Sequence, residues 1–283
     1  MTAALVPLDT GDDRLIDLWV FGKAEQTAEA YRRDARQFLA YAGKPLSAVT
    51  LSDLQGYALS LSAAGLSETS QRRKLASVKS LLSYGQRVGL IPVNVGAVIK
   101  LQRPRQRINE RILTEAEVQR LFVLAGDDRA VAVLRLLYYT GCRVSELAAL
   151  RWPDIAETDD RYLVTVTGKG NKERVIAVRR DKVSSALAVL RAFHAPTVTG
   201  WSRVTIWRVV KDAAERAGLT VDDDGQPRGV SPHWLRHSCA THAVARDMPL
   251  VELSRQFGHA SIETTVSFYV HSRPGIGAAD YLP

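Results

Sequence analysis

Residues 231–244 read SPHWLRHSCATHAV, and this stretch concentrates polar chemistry on one short predicted helix. The chain of 283 residues has six histidines, and three of them lie here beside an arginine. His233 and Arg236 are three residues apart, so they share one face of a helix. Such a cluster is consistent with a metal site, a proton relay, a phosphate site or plain polar packing.

A metal site is the least favoured of these readings. His233 and His237 share a face at a spacing of four residues and could bind zinc. A third ligand is missing from that face, and the chain has no HExxH motif. Cys142 and Cys239 lie far apart without CxxC spacing, so they predict neither a disulfide framework nor a zinc cluster. We therefore expect no metal, a core position for Cys239, and structural roles for His237 and His242.

Charge is distributed unevenly along the chain. The formal net charge is +8, and the pI is near 9.6. Residues 1–108 hold 15 Lys and Arg against 9 Asp and Glu, a net charge of +6, whereas the remaining residues hold 23 against 21, a net charge of +2. A basic first third favours a polyanion such as nucleic acid as partner, with ordinary surface charge as the alternative.

Hydropathy narrows the class of protein further. Hydrophobic residues make up 46% of the chain, which is enough to form a core. No apolar run reaches the ~18 residues of a membrane span. Residues 1–15 lack the charged start and apolar centre of a signal peptide. We therefore expect a bacterial cytoplasmic protein, associated with the nucleoid if its partner is DNA.

The first hundred residues have the spacing of four helices. Apolar residues recur at helical intervals over 12–22, 25–42, 50–65 and 67–89, with Ser67 as the N-cap of the last helix. Basic residues lie off the apolar stripes of two of these helices. The residues that we expect to contact DNA in this unit are Arg32, Arg33, Arg36, Arg72, Arg73, Lys74 and Lys79.

A basic segment separates two predicted domains. Residues 100–111, KLQRPRQRINER, contain few aliphatic residues and indicate an extended linker that follows a phosphate backbone, with a solvated loop as the alternative. The linker divides the chain into an N-terminal domain over 1–99 and a C-terminal domain over 112–283. Its expected DNA contacts are Arg103, Arg105 and Arg107.

The C-terminal domain is predicted to mix helices with a small β-sheet. Thr114 and Glu117 have the spacing of a capping box, which starts a helix. Residues 161–178 read as two strands around a Gly-Lys-Gly-Asn-Lys turn. The fold class is therefore mainly α, with two domains. Helices are predicted near 114–125, 129–140, 181–193, 202–217, 232–246, 250–256 and 261–269.

Four further positions carry chemistry that suits a phosphate. Arg143 follows a glycine turn at the start of a helix, and Lys169 lies at the tip of the predicted hairpin. His259 begins another helix, and Tyr269 follows it ten residues later. Each residue alone has a plain structural explanation as a cap, a solvated turn residue or a half-buried aromatic. Together with the histidine and arginine of the opening stretch, they describe one phosphate site.

These residue types predict a phosphate site because each side chain can take part in the cleavage of a phosphodiester. Arginines donate bidentate hydrogen bonds to phosphate oxygens, and histidines donate hydrogen bonds or move protons. A tyrosine phenol, with a pKa of about 10, attacks phosphorus once its proton is removed. A lysine protonates the departing alkoxide. Enough fixed positive charge allows the pentavalent transition state to form without a metal.

The set resembles the catalytic residues of the tyrosine recombinases, or phage integrase family. Its members follow one another along the chain in the order Arg143, Lys169, His233, Arg236, His259 and Tyr269. The stretches TGCRVSELAALRW, HWLRHSCATH and FGHASIETTVSFY are similar to the three signature boxes of that family. The four-helix unit resembles the SAM-like core-binding domain of Xer-type recombinases, and the mixed α+β unit resembles their catalytic domain. The resemblance covers about residues 12–272.

The resemblance implies a role for each residue of the set. Tyr269 would be the nucleophile, forming a 3′-phosphotyrosyl link and freeing a 5′-hydroxyl. Arg143 and Arg236 would clamp the scissile phosphate, and Lys169 would be the general acid toward the leaving 5′-oxygen. The phosphotyrosyl bond conserves the energy of the phosphodiester, so rejoining would need no ATP, divalent metal or other cofactor.

Two histidines and one carboxylate complete the implied site. His233 would assist proton transfer, and His259 would hydrogen-bond the phosphate. Glu146 matches an acidic residue that often supports the first arginine of the family.

The spacing of the third box departs from the family pattern. Ten residues separate His259 from Tyr269, and the gap is shorter in many members of the family. This difference places Phe268 and Tyr269 at another helical phase. Tyr281 is the only later tyrosine and follows a proline-glycine break, so Tyr269 stays the candidate.

The resemblance also implies partners. Recombination exchanges strands between two duplexes, so we expect a homotetramer on two double-stranded DNA sites with inverted repeats, and a second recombinase or an accessory factor as a further partner. Two alternatives remain: a DNA-binding protein without catalysis, and a type IB topoisomerase acting as a monomer. The complete catalytic set argues against the first alternative, and the N-terminal helical unit argues against the second.

Overall fold

The computed structural model describes residues 11–101, 112–168, 171–222 and 225–258. The chain divides into two compact units, Met1–Gln106 and Arg107–Pro283, and each has its own hydrophobic core. The boundary falls inside the basic segment that the sequence predicts as a linker. Most of that segment and the predicted helix 261–269 lie outside the described residues.

The N-terminal unit contains the four helices that the apolar spacing predicts. They are α1 (Asp12–Val20), α2 (Glu25–Ala42), α3 (Leu51–Ala63) and α4 (Glu68–Arg87). The Ser67 side chain accepts a hydrogen bond from the backbone N–H of Ser70 and so caps α4, as predicted. The core between the helices is apolar and includes the fully buried Phe38, Leu54, Val78, Leu81 and Leu82.

The C-terminal unit is mainly helical with one small sheet. The sheet is antiparallel in the order β1-β2-β3, with Val164 of β2 opposite both Ile155 of β1 and Ile176 of β3. The elements in chain order are α5 (Glu115–Val123), α6 (Asp128–Thr140), α7 (Val144–Ala149), β1 (Ile155–Glu157), β2 (Arg161–Thr167), β3 (Glu173–Arg179), α8 (Arg180–Arg191), α9 (Arg203–Arg216), α10 (Pro232–Ala245) and α11 (Leu250–Phe257).

The predicted hairpin is confirmed as β2 and β3, and the predicted capping box of Thr114 and Glu117 starts α5. The sequence did not predict β1. It is three residues long, and its residues are at most half-buried, so it has no alternating apolar pattern to reveal it.

Gly141 connects the core to the functional region. It ends α6 with φ of 60°, a left-handed conformation that glycine adopts at little cost. A Cβ atom at this position would lie 2.5 Å from the Phe257 ring of α11. The turn at Gly141 therefore brings the start of α7 against the end of α11. Phe257 also packs with Ala240, Val244 and Leu253, which ties α11 to α10.

No helix within the described ranges is long and apolar enough to cross a membrane.

Candidate active site

Two elements of the C-terminal unit, α7 and β3, meet at one buried carboxylate. The side chain of Glu146, on α7, is 2% exposed. The Arg143 Nη1 atom donates to Glu146 Oε1 at 2.8 Å, and the Arg143 backbone N–H donates to Oε2 at 2.7 Å. Arg174, at the start of β3, donates from both Nη atoms to the two carboxylate oxygens at 2.9 and 2.7 Å. Glu146 therefore accepts four hydrogen bonds, three of them from guanidinium groups.

The hydrogen bonds keep this carboxylate ionised. Burial raises the pKa of Glu146, but the hydrogen bonds from Arg174 and from Arg143 outweigh burial and hold the pKa at about 2. The carboxylate is thus an anion at neutral pH. It neutralises part of the charge of the arginines around it and fixes their planes.

The end of α11 holds the same arginines through its backbone. The carbonyls of residues 256, 257 and 258 accept hydrogen bonds from three different side chains. The donors are Arg174 Nε at 2.8 Å, Arg236 Nη2 at 2.5 Å and Arg143 Nη2 at 3.2 Å, respectively. The last carbonyls of a helix lack partners within the helix and carry its negative dipole end. The arginine cluster, meaning Arg143, Arg174 and Arg236, supplies the missing donors.

Arg236 is the most deeply placed member of the arginine cluster. It is 6% exposed, stacks on the Phe257 ring at 4.8 Å, and donates from Nη1 to the Gly141 carbonyl. Burial lowers the pKa of Arg236 to about 10, with a further contribution from the charge of Arg143. Arg236 is still a cation at pH 7. The contacts on both Nη atoms fix its orientation before any ligand binds.

Arg143 is the accessible member. Its side chain is 33% exposed, against 10% for Arg174. A guanidinium carries five N–H groups, and the side-chain bonds above engage two from Arg143 and two from Arg236. Donors therefore remain on both arginines for an anion. The arginine cluster with Glu146 has a net charge of +2, which suits a phosphate.

The structure brings together part of the predicted catalytic set. Arg143 and Arg236 lie in one cluster, although 93 positions separate them in the sequence. His233 is exposed on α10, one turn before Arg236. The remaining members, Lys169, His259 and Tyr269, lie outside the described residues.

Arg174 is the residue of the cluster that the sequence reasoning missed. A signal for it exists in the strand pattern. Arg174, Ile176 and Val178 point to one face of β3, and the other two are buried. An arginine in phase with buried strand residues needs a partner inside the protein.

His242 has a structural role, as the sequence predicts. Its Nδ1 atom lies 2.7 Å from the Tyr138 hydroxyl of α6. Burial is the main cause that lowers the pKa of His242, and a hydrogen bond with the backbone of Leu113 opposes it. Burial also raises the pKa of Tyr138, so its phenol stays protonated while it hydrogen-bonds with His242. The histidine joins α6 and α10 to the chain just before α5.

Burial makes the two thiols unreactive at neutral pH. Burial raises the pKa of Cys142 to about 11 and that of Cys239 to about 12, so neither thiol is a nucleophile at neutral pH. Cys142 is buried as a core residue, whereas Cys239 is only partly buried. In the part of the chain that the structure describes, no group of three or more His, Cys, Asp or Glu could hold a metal ion.

In the N-terminal unit, some predicted DNA contacts have acidic partners on the surface. Arg32 pairs with Asp17 at 2.9 Å, and Arg36 pairs with Asp13 at 3.2 Å. Exposed pairs of this kind contribute at most about 1 kcal/mol, so both arginines can exchange their partner for a phosphate. Arg33 is exposed.

Other basic residues of that unit have structural partners. Asp34 of α2 is fully buried and accepts hydrogen bonds from Arg73 and Lys74 of α4. Lys79 donates to the Ile99 carbonyl. Arg72, on the same helix, is exposed. Arg103, Arg105 and Arg107 lie outside the described residues.

Fold and site together define a class of protein: a two-unit, mainly helical protein whose C-terminal unit holds an arginine cluster with a net charge of +2 around Glu146. Comparison with known proteins narrows this class. The model of the phage integrase family matches residues 111–275, and the model of the phage integrase N-terminal SAM-like domain matches residues 15–89.

Curated relatives extend the similarity over most of the chain. The chain is 32% identical over 263 residues to a tyrosine recombinase of Thermosipho africanus, covering 88% of this chain and 89% of the relative. It is 34% identical over 279 residues to the tyrosine recombinase XerD of Mycobacterium tuberculosis, covering 86% of each chain. The protein therefore belongs to the phage integrase family, and it is a site-specific tyrosine recombinase.

Solved structures share the fold at low sequence identity. A lambda integrase dimer bound to a COC′ core site aligns with a TM-score of 0.77 at 17% identity, covering 94% of this chain and 77% of that chain. The XerH recombinase bound to its difH substrate, in a pre-cleavage complex, aligns with a TM-score of 0.69 at 18% identity, covering 92% and 81%.

Proposed function

We propose that Tyr269 attacks the scissile phosphate of a DNA strand and forms a 3′-phosphotyrosyl intermediate, with Arg143 and Arg236 binding the non-bridging oxygens. The observation that carries this proposal is the arginine cluster around Glu146, with its net charge of +2 and its unused donors. Preorganised cations aimed at developing negative charge are the largest single source of catalysis in many enzymes.

Cleavage is a balanced transesterification. The Tyr269 phenolate forms a bond to phosphorus, and the bond between phosphorus and the 5′-oxygen breaks. Lys169 gives its proton to that oxygen, which leaves as a 5′-hydroxyl. His233 assists proton transfer, and His259 donates a hydrogen bond to the phosphate. Rejoining reverses these steps with a 5′-hydroxyl from the partner duplex, so no ATP, metal or other cofactor takes part.

The two arginines contribute differently to this step. Arg236 is buried and held by two carbonyls, so it offers a fixed direction for one phosphate oxygen. Arg143 is partly exposed and approaches the phosphate from the solvent side. The phosphodiester carries one negative charge, and the pentavalent transition state carries two. A cluster charge of +2 therefore favours the transition state over the bound substrate.

We further propose that four protomers act on two duplex sites with inverted repeats. A lambda integrase tetramer bound to a Holliday junction has the same fold at a TM-score of 0.75 and 18% identity. Arg33 and Arg72, which are exposed, contact phosphates from the N-terminal unit, and Arg32 and Arg36 join them by exchanging their acidic partners. The linker arginines follow the backbone, and a second recombinase or an accessory factor completes the assembly on the bacterial nucleoid.

A nicked suicide duplex tests the nucleophile directly. Candidate sites are taken from the DNA that flanks the gene, and covalent protein–DNA adducts are counted after denaturation. The wild-type protein and the control Tyr281→Phe should form the adduct, whereas Tyr269→Phe should bind the same duplex without forming it. An adduct that survives in Tyr269→Phe overturns the assignment.

The adduct assay, together with relaxation of supercoiled DNA, separates the two alternatives, and a double variant addresses the spacing question. A DNA-binding protein without catalysis forms no adduct even as wild type. A type IB topoisomerase relaxes supercoiled DNA that lacks the site, whereas a recombinase does not. The double variant Phe268→Tyr with Tyr269→Phe moves the phenol by one position. Loss of the adduct in this variant shows that the ten-residue spacing of this chain sets the helical phase.

A further inference from the structure

Arg174 lies outside the three signature stretches, yet it has the most extensive polar contacts of the arginine cluster. Its side chain is 10% exposed and leaves β3 toward two other elements. Two donors reach Glu146 on α7, and Nε reaches the Gln256 carbonyl on α11. One side chain thus joins the sheet, the helix that begins at Arg143, and the helix that precedes His259.

The contact with Glu146 sets how much charge Arg143 can offer. With Arg174 in place, one carboxylate is shared by two guanidinium groups, so the three groups together keep a net charge of +1. Without Arg174, the carboxylate would belong to Arg143 alone, and the two would form a neutral pair. Arg143 would then be drawn toward Glu146 and away from a phosphate, because a buried carboxylate needs a cationic partner.

The contact with α11 holds the end of that helix against β3. Gly258 has φ of 59° and lies directly against Arg174, since a Cβ atom there would be 3.0 Å from the Arg174 Cδ atom. The Nε–H of Arg174 binds the carbonyl two residues earlier. His259 is the next residue in the sequence, and Tyr269 follows in the same segment.

We propose that Arg174 is a positioning residue for strand cleavage, acting through Glu146 on the guanidinium of Arg143. It does not touch the DNA in this proposal. The inference rests on the proposed function of Arg143 as a phosphate clamp. It goes beyond that function because it assigns part of the catalytic geometry to a residue outside the signature boxes.

The test compares cleavage with binding in Arg174→Gln. The variant keeps a side chain of similar reach and removes the charge. At saturating protein, the single-turnover rate of adduct formation on the suicide duplex should fall by about 10²-fold, the size expected for misplaced catalytic groups. The dissociation constant for the same duplex should stay within about 3-fold, because Arg174 itself contacts no DNA and the phosphate contacts outside the cleavage site are unchanged.

Two further variants distinguish positioning from a loss of stability. Arg174→Lys keeps the charge but not the paired hydrogen bonds, and it should recover roughly 10-fold of the lost rate. The control Arg129→Gln removes an arginine of the same unit that stacks on Phe193 and Trp201 and donates to the Thr199 carbonyl. Its rate should stay within about 2-fold of wild type, provided that circular dichroism shows each variant folded at the assay temperature.

A double-mutant cycle with Glu146→Gln tests whether Arg174 acts on Arg143 through the Glu146 carboxylate. Arg174→Gln should slow cleavage much less in the Glu146→Gln background than in the wild type, because the carboxylate that links it to Arg143 is already neutral. Equal slowing in both backgrounds, a wild-type rate in Arg174→Gln, or equal loss in Arg129→Gln overturns the inference. The Tyr269→Phe variant tests the proposed function separately. An adduct that survives in Tyr269→Phe overturns the proposed function, whereas the outcomes above overturn only the positioning role of Arg174.

Discussion

Replacing Glu146 by glutamine should destabilise the C-terminal unit in a way that depends on pH. The pKa of Glu146 falls from 4.5 to about 2 in the folded protein. A shift of this size corresponds to about 3 kcal/mol, at 1.36 kcal/mol for each pKa unit. The sign follows from the depressed folded pKa: the stabilisation is fully present above pH ~5 and is lost as the pH falls toward 2. At pH 7, Glu146→Gln should therefore lose about 3 kcal/mol of the free energy of unfolding.

Urea denaturation at several pH values measures this difference. Four of the five tryptophans, Trp152, Trp201, Trp207 and Trp234, belong to the C-terminal unit, so intrinsic fluorescence follows mainly that unit. The difference between wild type and Glu146→Gln should shrink by roughly half between pH 7 and pH 3.

The control for this measurement is an exposed ion pair of the same unit. Glu252 pairs with Arg255 at 2.6 Å, and both side chains are at least half exposed. Glu252→Gln should change the free energy of unfolding by less than about 1 kcal/mol at every pH. A cost for Glu146→Gln that is the same at pH 7 and pH 3, or no larger than that of the control, would refute the reasoning about the buried carboxylate.

Three further predictions follow from other contacts. Gly141→Ala should lower the free energy of unfolding by about 2–4 kcal/mol in urea denaturation, because of the left-handed φ and the collision with α11. It should also slow cleavage, because Arg236 binds the Gly141 carbonyl. A loss of stability below about 1 kcal/mol contradicts this prediction. His242→Phe should lower the unfolding free energy by about 1–2 kcal/mol while the cleavage rate of the folded protein is kept, and a loss of cleavage without a loss of stability contradicts the structural role. Arg33→Ala with Arg72→Ala should reduce the slope of log binding constant against log salt by about 1.8, measured by titration of labelled duplex, and an unchanged slope removes both from the DNA contacts.

Local patterns were enough to predict the helices and the hairpin, because apolar spacing reflects which face is buried. Asp34 is a charged residue whose burial the sequence reasoning did not consider. It lies three residues after Tyr31 and four before Phe38, so helical spacing places it on the apolar face of α2. The structure buries it there as the partner of Arg73 and Lys74. The DNA contacts predicted for Arg73 and Lys74 stay predictions, and the structure adds that both residues form ion pairs between helices.

The arginine cluster could be predicted only in part. Arg143 and Arg236 belong to recognisable motifs, whereas Arg174 contacts residues 28 and 82 positions away, Glu146 and Gln256. No local spacing encodes contacts of that range. The same holds for His242, whose structural role was predicted but whose partner, Tyr138, is 104 positions away.

Backbone recognition at the end of α11 has a consequence for how this region tolerates change. All three arginines bind main-chain carbonyls there, so the side chains at Gln256 and its neighbours contribute nothing to those bonds. At position 256, any residue that keeps the helix intact presents the same acceptor, whereas Phe257 and Gly258 also contribute a ring and a left-handed turn. The exposed positions of α11, such as Val251 and Arg255, can therefore be redesigned for labels, new contacts or solubility without rebuilding the centre of the enzyme. The three arginines therefore depend on the backbone conformation at the end of α11, and not on which residues occupy its exposed positions.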